Sequence, residues 1–285
     1  MSELLPQLKA MPWGMWMRQT LAVARLESRR SFLQRRGWWI LAALPVVLTG
    51  THSLVAMSGS WLGGMCSIGV DTRAYAAIFQ FLILRFCIFF GCAGIFTTCF
   101  RGETTEKTLH YYFLTPMRRE VLAAGKYLAG EATALIFFAG GAALSYMLIT
   151  LHFGAAHWEH MFRGTGLYEL TWYTVIAVLA CLGYGAIFMA VGLWFKNPMI
   201  AVAVVMVWEN LNPFLPSLLK KFSVIFYLKG LCPVDVPMSG SLSLIEVLTN
   251  PTPAWIAIPG LLILTAVVLA MACFSVRRME VSYGE

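Results

Sequence analysis

Two ionisable side chains in this sequence stand where charge is costly. Arg85 interrupts the apolar run "YAAIFQFLILRFCIFF", and Glu209 ends the apolar run that follows Pro198, "MIAVAVVMVWE". If these runs cross a bilayer, both residues fall near its middle, where a lone charge costs several kcal/mol and usually pairs or faces water. The chemistry open to them is electrostatic. They could form a salt bridge that holds two spans together, or a polar wall along a path through the membrane. The rest of the inventory is poor in catalytic groups. Only His52 lies within an apolar run, while His110, His152, His157 and His160 fall between runs, which argues against a bis-histidine haem. The segment "HWEH" is not H-E-x-x-H, and no Ser/His or paired-Asp arrangement suggests an intramembrane hydrolase. Seven cysteines include no C-x-x-C pair and no Cys/His cluster, so no metal site is expected. Cys66 and Cys232 fall in loops, where a disulfide could form in an oxidising compartment. The expectation is a chain with no catalytic residue and no metal ligand.

The elements that must hold these charges are dictated by composition. The 285 residues are 59% hydrophobic and only 12% charged, and mean hydropathy is +0.72. Soluble domains run nearer half apolar and a quarter charged. That excludes an ordinary soluble enzyme, a disordered chain and a nucleic-acid-binding domain, and it predicts an all-α polytopic membrane protein. A helix needs about 20 apolar residues to cross the hydrocarbon core. Six stretches qualify to different degrees: 38–57, 75–100, 130–151, 170–195, a fifth beginning after Pro198 and apolar to Trp208, and 254–276. Of the 21 Lys and Arg, fifteen fall before the first stretch, in the loop between the second and third, at Lys196, or at Arg277 and Arg278. The positive-inside rule then puts both termini in the cytoplasm of a plasma-membrane protein. The net charge of +7 is therefore an orientation signal rather than a mark of an acidic ligand. The expected organisation is a cytoplasmic segment 1–37, one six-helix domain 38–276 and a cytoplasmic tail 277–285. No cleavable signal peptide is expected, because the first apolar run starts late.

Three segments between the spans carry further information. Before the first, "WMRQTLAVARLESRRSFLQRRGWW" interleaves apolar residues with arginines and predicts an amphipathic helix on the inner membrane surface. The loop 101–126 reads "RGETTEKTLHYYFLTPMRREVLAAGK". Thr104 or Thr105 can cap a short helix with an apolar side of Leu109, Tyr112, Phe113 and Leu114, ended at Pro116. Such a helix suits docking into a groove on a soluble partner. A new helix is expected near Glu120. The fifth stretch breaks at "ENLNPFLP", where Pro213 and Pro216 lack backbone donors and Asn210 and Asn212 can substitute locally. Either re-entrant or interfacial helices follow it, within an outer loop 212–253, or the fifth span is short with an ordinary loop. Glu131 is expected to snorkel near the inner interface, within reach of Lys126, and small residues on spans three and four are expected to let helices approach closely.

The loop resembles the segment after the second span of ABC type-2 permeases. Glu106, Thr108, Leu109, Leu114, Thr115, Pro116, Arg118, Arg119, Gly125 and Lys126 fit that family's order of an acidic residue, a T-L pair, an apolar run ending in T-P, a basic pair and a G-K. Lys107 stands where the family usually has glycine. "SVIFYLKGLCPVDV" is similar, more loosely, to the family's segment between spans five and six. The resemblance implies a permease subunit, more often an exporter, which pairs with a second permease copy and docks a separate ATPase through the short cytoplasmic helix. ATP and Mg²⁺ would sit on that partner, since this chain has no G-x-x-x-x-G-K-[ST]. Membrane lipid is the other expected partner, and nucleic acid is not one. The alternative is a non-transporting membrane anchor that uses the same loop to recruit a soluble protein.

Overall fold

The structure, a computed structural model, describes residues 12–34, 37–59, 66–105, 114, 117–234 and 252–279. All secondary structure among them is helical. Helix α1 is Trp13–Gln34 and α2 is Gly37–Met57. Helix α3 is continuous through Ile68–Ala77, a π-helical Ile78–Ile88 and Phe89–Thr105. Helix α4 likewise joins Arg119–Ala134, a π-helical Leu135–Ala139 and Gly140–Thr150. A 3₁₀ turn Leu151–Phe153 leads to α5, Ala155–Arg163, and then to α6, Gly166–Trp194. Helix α7 is Pro198–Leu211, followed by a 3₁₀ turn Asn212–Phe214 and two short helices, α8 (Ser217–Lys220) and α9 (Val224–Lys229). Helix α10 is Ala254–Arg278.

Five of these are long and apolar enough to cross a membrane: Trp39–Met57, Ile68–Glu103, Arg119–Phe153, Gly166–Trp194 and Ala254–Arg278. The second and third are longer than expected, at 36 and 35 residues. They absorb the charged ends that the sequence reading assigned to loops. The fifth expected stretch differs. Helix α7 has 14 residues and so rises only about 21 Å, short of a hydrocarbon core of about 30 Å. It stops because Asn212 and Pro213 close a tight turn, with the Asn212 side-chain amide donating to Lys220 O at 3.3 Å.

Helix α6 is the most enclosed of the five and packs against α3, α4 and α10. Close approach is paid for in glycine: a Cβ on Gly192 would lie 2.6 Å from the Thr97 carbonyl oxygen of α3. Helices α6 and α10 run parallel. Gly183 faces Leu261, and Trp194 Nε1 donates to Ser275 Oγ at 2.7 Å. The chain between them must therefore return along the length of the bundle. Large apolar side chains left exposed, among them Ile40, Leu54, Ile136, Val204 and Ile263, lie on the outward faces of these helices, as lipid-facing surfaces do.

At the end of the bundle where α1 sits, one cation is fully enclosed. Lys126 of α4 is 1% exposed, and its Nζ donates to Glu103 of α3 at 2.6 Å and to Glu27 of α1 at 3.0 Å. Gly125 beside it allows the approach, since a Cβ there would lie 2.7 Å from Val23 of α1. Trp16, Thr20, Val23 and Glu27 recur at helical spacing and form the face of α1 that meets α4. Arg18, Arg25 and Arg29 lie exposed on the opposite face. Glu131 is a correction to the expectation. It is buried, 4% exposed, and its carboxylate oxygens have no hydrogen-bond partner among the described residues, because Lys126 points away to Glu27 and Glu103 and α6 closes over Glu131 at Gly185. Removing one member of a buried ion network costs about 3–5 kcal/mol. Lys126→Met should therefore lower the unfolding temperature in detergent far more than Arg25→Met, which removes an exposed charge from the opposite face of α1.

Candidate functional site

The docking residues named from sequence divide into two groups. Glu106, Thr108, Leu109, Tyr112, Phe113, Thr115 and Pro116 lie outside the described residues. Leu114, Arg118 and Arg119 are described. Leu114 is exposed. Arg118 is the N-cap of α4 in extended conformation, and its guanidinium lies over the Trp16 ring of α1, 4.6 Å from the centroid. Arg119 Nη1 donates to the carbonyls of Met279, at 2.6 Å, and Arg277, at 3.2 Å. The foot of the loop is thus fastened to α1 on one side and to the end of α10 on the other. Lys126 ties the two helices that bound the loop, α3 and α4, to each other and to α1.

The midplane pair is rearranged. Arg85 is seventeen residues from Ile68 and eighteen from Glu103, so it sits at the centre of the second span. It also lies inside the π-helical stretch of α3. Such stretches are rare and concentrate at functional sites. Arg85 makes no ion pair with Glu209. Its Nη1 donates to Asn210 Oδ1 at 3.3 Å, and its guanidinium lies 5.7 Å from the Phe81 ring centroid. Glu209 is buried and accepts from Ser223 Oγ at 2.7 Å and from the backbone N–H of Val224 and Ile225, each at 3.0 Å. Those N–H groups open α9, where a helix has no internal acceptors. The physical reason for the correction is local: three donors at the start of α9 satisfy the carboxylate, and Asn210 holds the arginine instead. Arg85 and Glu209 nevertheless line one small cavity with Phe89, Tyr184, Met206, Asn210 and Ile225. Of the helix-break residues, Asn210 thus holds Arg85 and Asn212 holds the turn. Pro213 supplies a residue of the 3₁₀ turn, and Pro216 precedes α8.

The end of the bundle opposite α1 is also polar inside. Tyr75, Tyr146 and Tyr173 pack edge to face. Tyr75 OH donates to Ala142 O at 2.7 Å, and Tyr146 OH donates to Glu169 at 2.9 Å. His157 of α5 is buried and its Nδ1 meets Thr150 Oγ1 at 2.9 Å. Cys66 and Cys232 are not joined to each other, so the disulfide open at the sequence level is not formed. Close by, His52, Cys66, Asp71 and His152 converge, their ligand atoms all within 4.8 Å of one another. Sequence reasoning missed this group. They come from three places up to 100 residues apart, the end of α2, the start of α3 and the turn after α4, and no recognised metal-site spacing connects them. The one available signal was a His and an Asp within a helical turn or two of two span ends.

No protein-family model matches the chain, and no curated protein matches it.

Two measurements check these contacts. Because Glu209 satisfies the first turn of α9 rather than Arg85, Glu209→Leu should destabilise the protein by about 1–3 kcal/mol for each N–H left unpaired. Adding Arg85→Met should give no rescue in thermal unfolding, and rescue by the second substitution would reinstate the ion pair. For His157, burial and then the neighbouring His160 hold the ring below its ordinary 6.5. The unfolded chain then binds this proton more readily than the folded one. Stability is complete above the unfolded value and falls as pH drops below about 6.5. Unfolding midpoints between pH 7.5 and 5 should decline less steeply in His157→Gln than in the parent.

Proposed function

We propose that this chain is the membrane-spanning permease subunit of an ATP-binding cassette transporter of the type-2 kind, an exporter driven by a separate ATPase chain. The observation that carries the reading is the Lys126–Glu27–Glu103 junction beneath the loop 106–118. A docking element moves the spans only if its two ends are fastened rigidly to them. The buried lysine fastens the end of α3, the start of α4 and the lead-in helix α1 at one point. The G-K of the family-like segment thereby acquires a physical role: Gly125 admits α1, and Lys126 holds it.

In this reading the chain crosses the plasma membrane six times, with both termini cytoplasmic. The parallel course of α6 and α10 supports an even count, because the segment between them must carry the chain back across. Helix α7 is the inner half of a broken fifth crossing. Helices α8 and α9 follow it as interfacial or re-entrant pieces, held by Glu209 and Asn212. The cavity beside Arg85 lies on the path of the transported molecule, with the π-helical stretch as its adaptable wall. Two copies of the permease form the path, and ATP and Mg²⁺ bind the partner ATPase.

The test is co-purification with the ABC ATPase expressed from the same operon or neighbourhood, followed by ATPase measurement in lipid. Leu109, Tyr112 and Phe113 changed together to Ala should lose the partner and the permease-dependent ATPase activity while the permease still folds. Retention of both would refute docking through this loop. Retained docking with no coupled hydrolysis in the parent protein would favour the anchor.

A further inference from the structure

We propose that His52, Cys66, Asp71 and His152 form a zinc-class metal site that clasps the ends of three membrane helices. The four come from three helix ends: His52 from the last turns of α2, Cys66 and Asp71 from the start of α3, and His152 from the turn after α4. Asp71 Oδ2 lies 3.3 Å from His52 Nε2 and 3.4 Å from His152 Nε2. A tetrahedral ion bound at 2.0–2.3 Å holds its ligand atoms about 3.3–3.8 Å apart. The observed nitrogen-to-oxygen distances already fall in that range, and the cluster as a whole is within 4.8 Å. Only small side-chain adjustments would bring the remaining ligand atoms in.

The hydrogen bonds around His152 point the same way. Ser53 Oγ donates its one proton to Leu148 O at 2.6 Å. At the His152 ring it can therefore only accept, so Nδ1, 3.4 Å away, is the protonated nitrogen. That leaves the Nε2 lone pair directed at the carboxylate of Asp71. The His152 side chain is 6% exposed, and its Nε2 has no hydrogen-bond partner among the described residues. With the ring in this tautomer, two acceptors face each other, and either a proton or a metal ion between them would satisfy both. Ser53 is the outer partner that orients a ligating histidine, as such groups commonly do in metal sites.

The donor set selects the ion. Two imidazoles, one thiol and one carboxylate suit Zn²⁺ and disfavour Ca²⁺ or Mg²⁺, which want oxygen. Four protein ligands close the coordination sphere, which marks a structural rather than a catalytic site. The cluster lies at the end opposite the Lys126 junction. In the proposed topology that end faces the outside, but the metal inference does not rest on the transport reading, and its test involves no ATPase.

The experiment uses the full chain, purified in detergent, stripped with chelator and titrated with Zn²⁺ or Co²⁺. One equivalent of Zn²⁺ per chain should bind, raise the unfolding temperature and slow maleimide labelling of Cys66, read by peptide mass spectrometry on the unmutated protein. Co²⁺ should give a tetrahedral visible spectrum with a thiolate charge-transfer band that disappears in Cys66→Ala. Ser53→Ala should bind about tenfold more weakly. Four results would overturn the proposal: no stoichiometric binding, Cys66 labelling unchanged by Zn²⁺, Co²⁺ spectra identical in the parent and in Cys66→Ala, and binding abolished by His157→Gln but retained in His52→Gln. The first would leave a protonated histidine as the cation between Asp71 and His152. The last would move the ion to the α5 histidines.

Discussion

A buried cation has to be neutralised by whatever surrounds it, and that requirement organises one end of this protein. Lys126 is enclosed, and its two carboxylate partners come from helices far apart in sequence. Removing a charge from water costs several kcal/mol unless paired and hydrogen-bonded. The arrangement is therefore a condition on the fold: α1, α3 and α4 must meet there together or not at all. The lead-in helix is consequently part of the bundle rather than a loose amphipathic strip. Its exposed arginines remain free to face lipid headgroups while Val23 and Glu27 are committed to α4. Arg118 and Arg119 extend the same junction to Trp16 and to the end of α10. Any force on the loop above would be felt by four helices.

The middle of the molecule obeys a second accounting. Helix α7 ends before a bilayer would, and each backbone donor exposed by the break needs an acceptor. Glu209 supplies acceptors for α9, and Asn212 pins the turn to α8. Two acidic residues at this level are thus used differently. Glu209 is spent on backbone groups. Glu131 is walled in by α6 without a hydrogen bond. Arg85 is left with an amide and an aromatic ring beside a small cavity, in the one long stretch of α3 that is not α-helical.

The opposite end uses neutral and metal-type donors where the α1 end uses a lysine. Tyrosines, Thr150, His157 and Glu169 close the bundle through hydrogen bonds. The His52–Cys66–Asp71–His152 group joins α2, α3 and α4 at their tips. The two ends are thus fastened by different chemistry, and the cavity with its π-helical wall lies between the fastenings.

Composition and hydropathy alone determined that the chain is helical and carries spans. That signal is a sum over many residues and survives ignorance of packing. The break after Glu209 was also legible, since proline and asparagine act locally. Pairing was not. Arg85 and Glu209 looked complementary by depth, yet α9, whose position no pattern encodes, supplies nearer donors. Lys126 looked within reach of a snorkelling Glu131, yet its partners are 23 and 99 residues away. The histidine–cysteine–aspartate cluster had no spacing signature because its members come from three helix ends distant in the chain. Local propensity fixes where a helix begins and ends. Which side chains share a buried space is decided only when helices distant in the chain are packed together, because the cost of an unpaired polar group is felt only there.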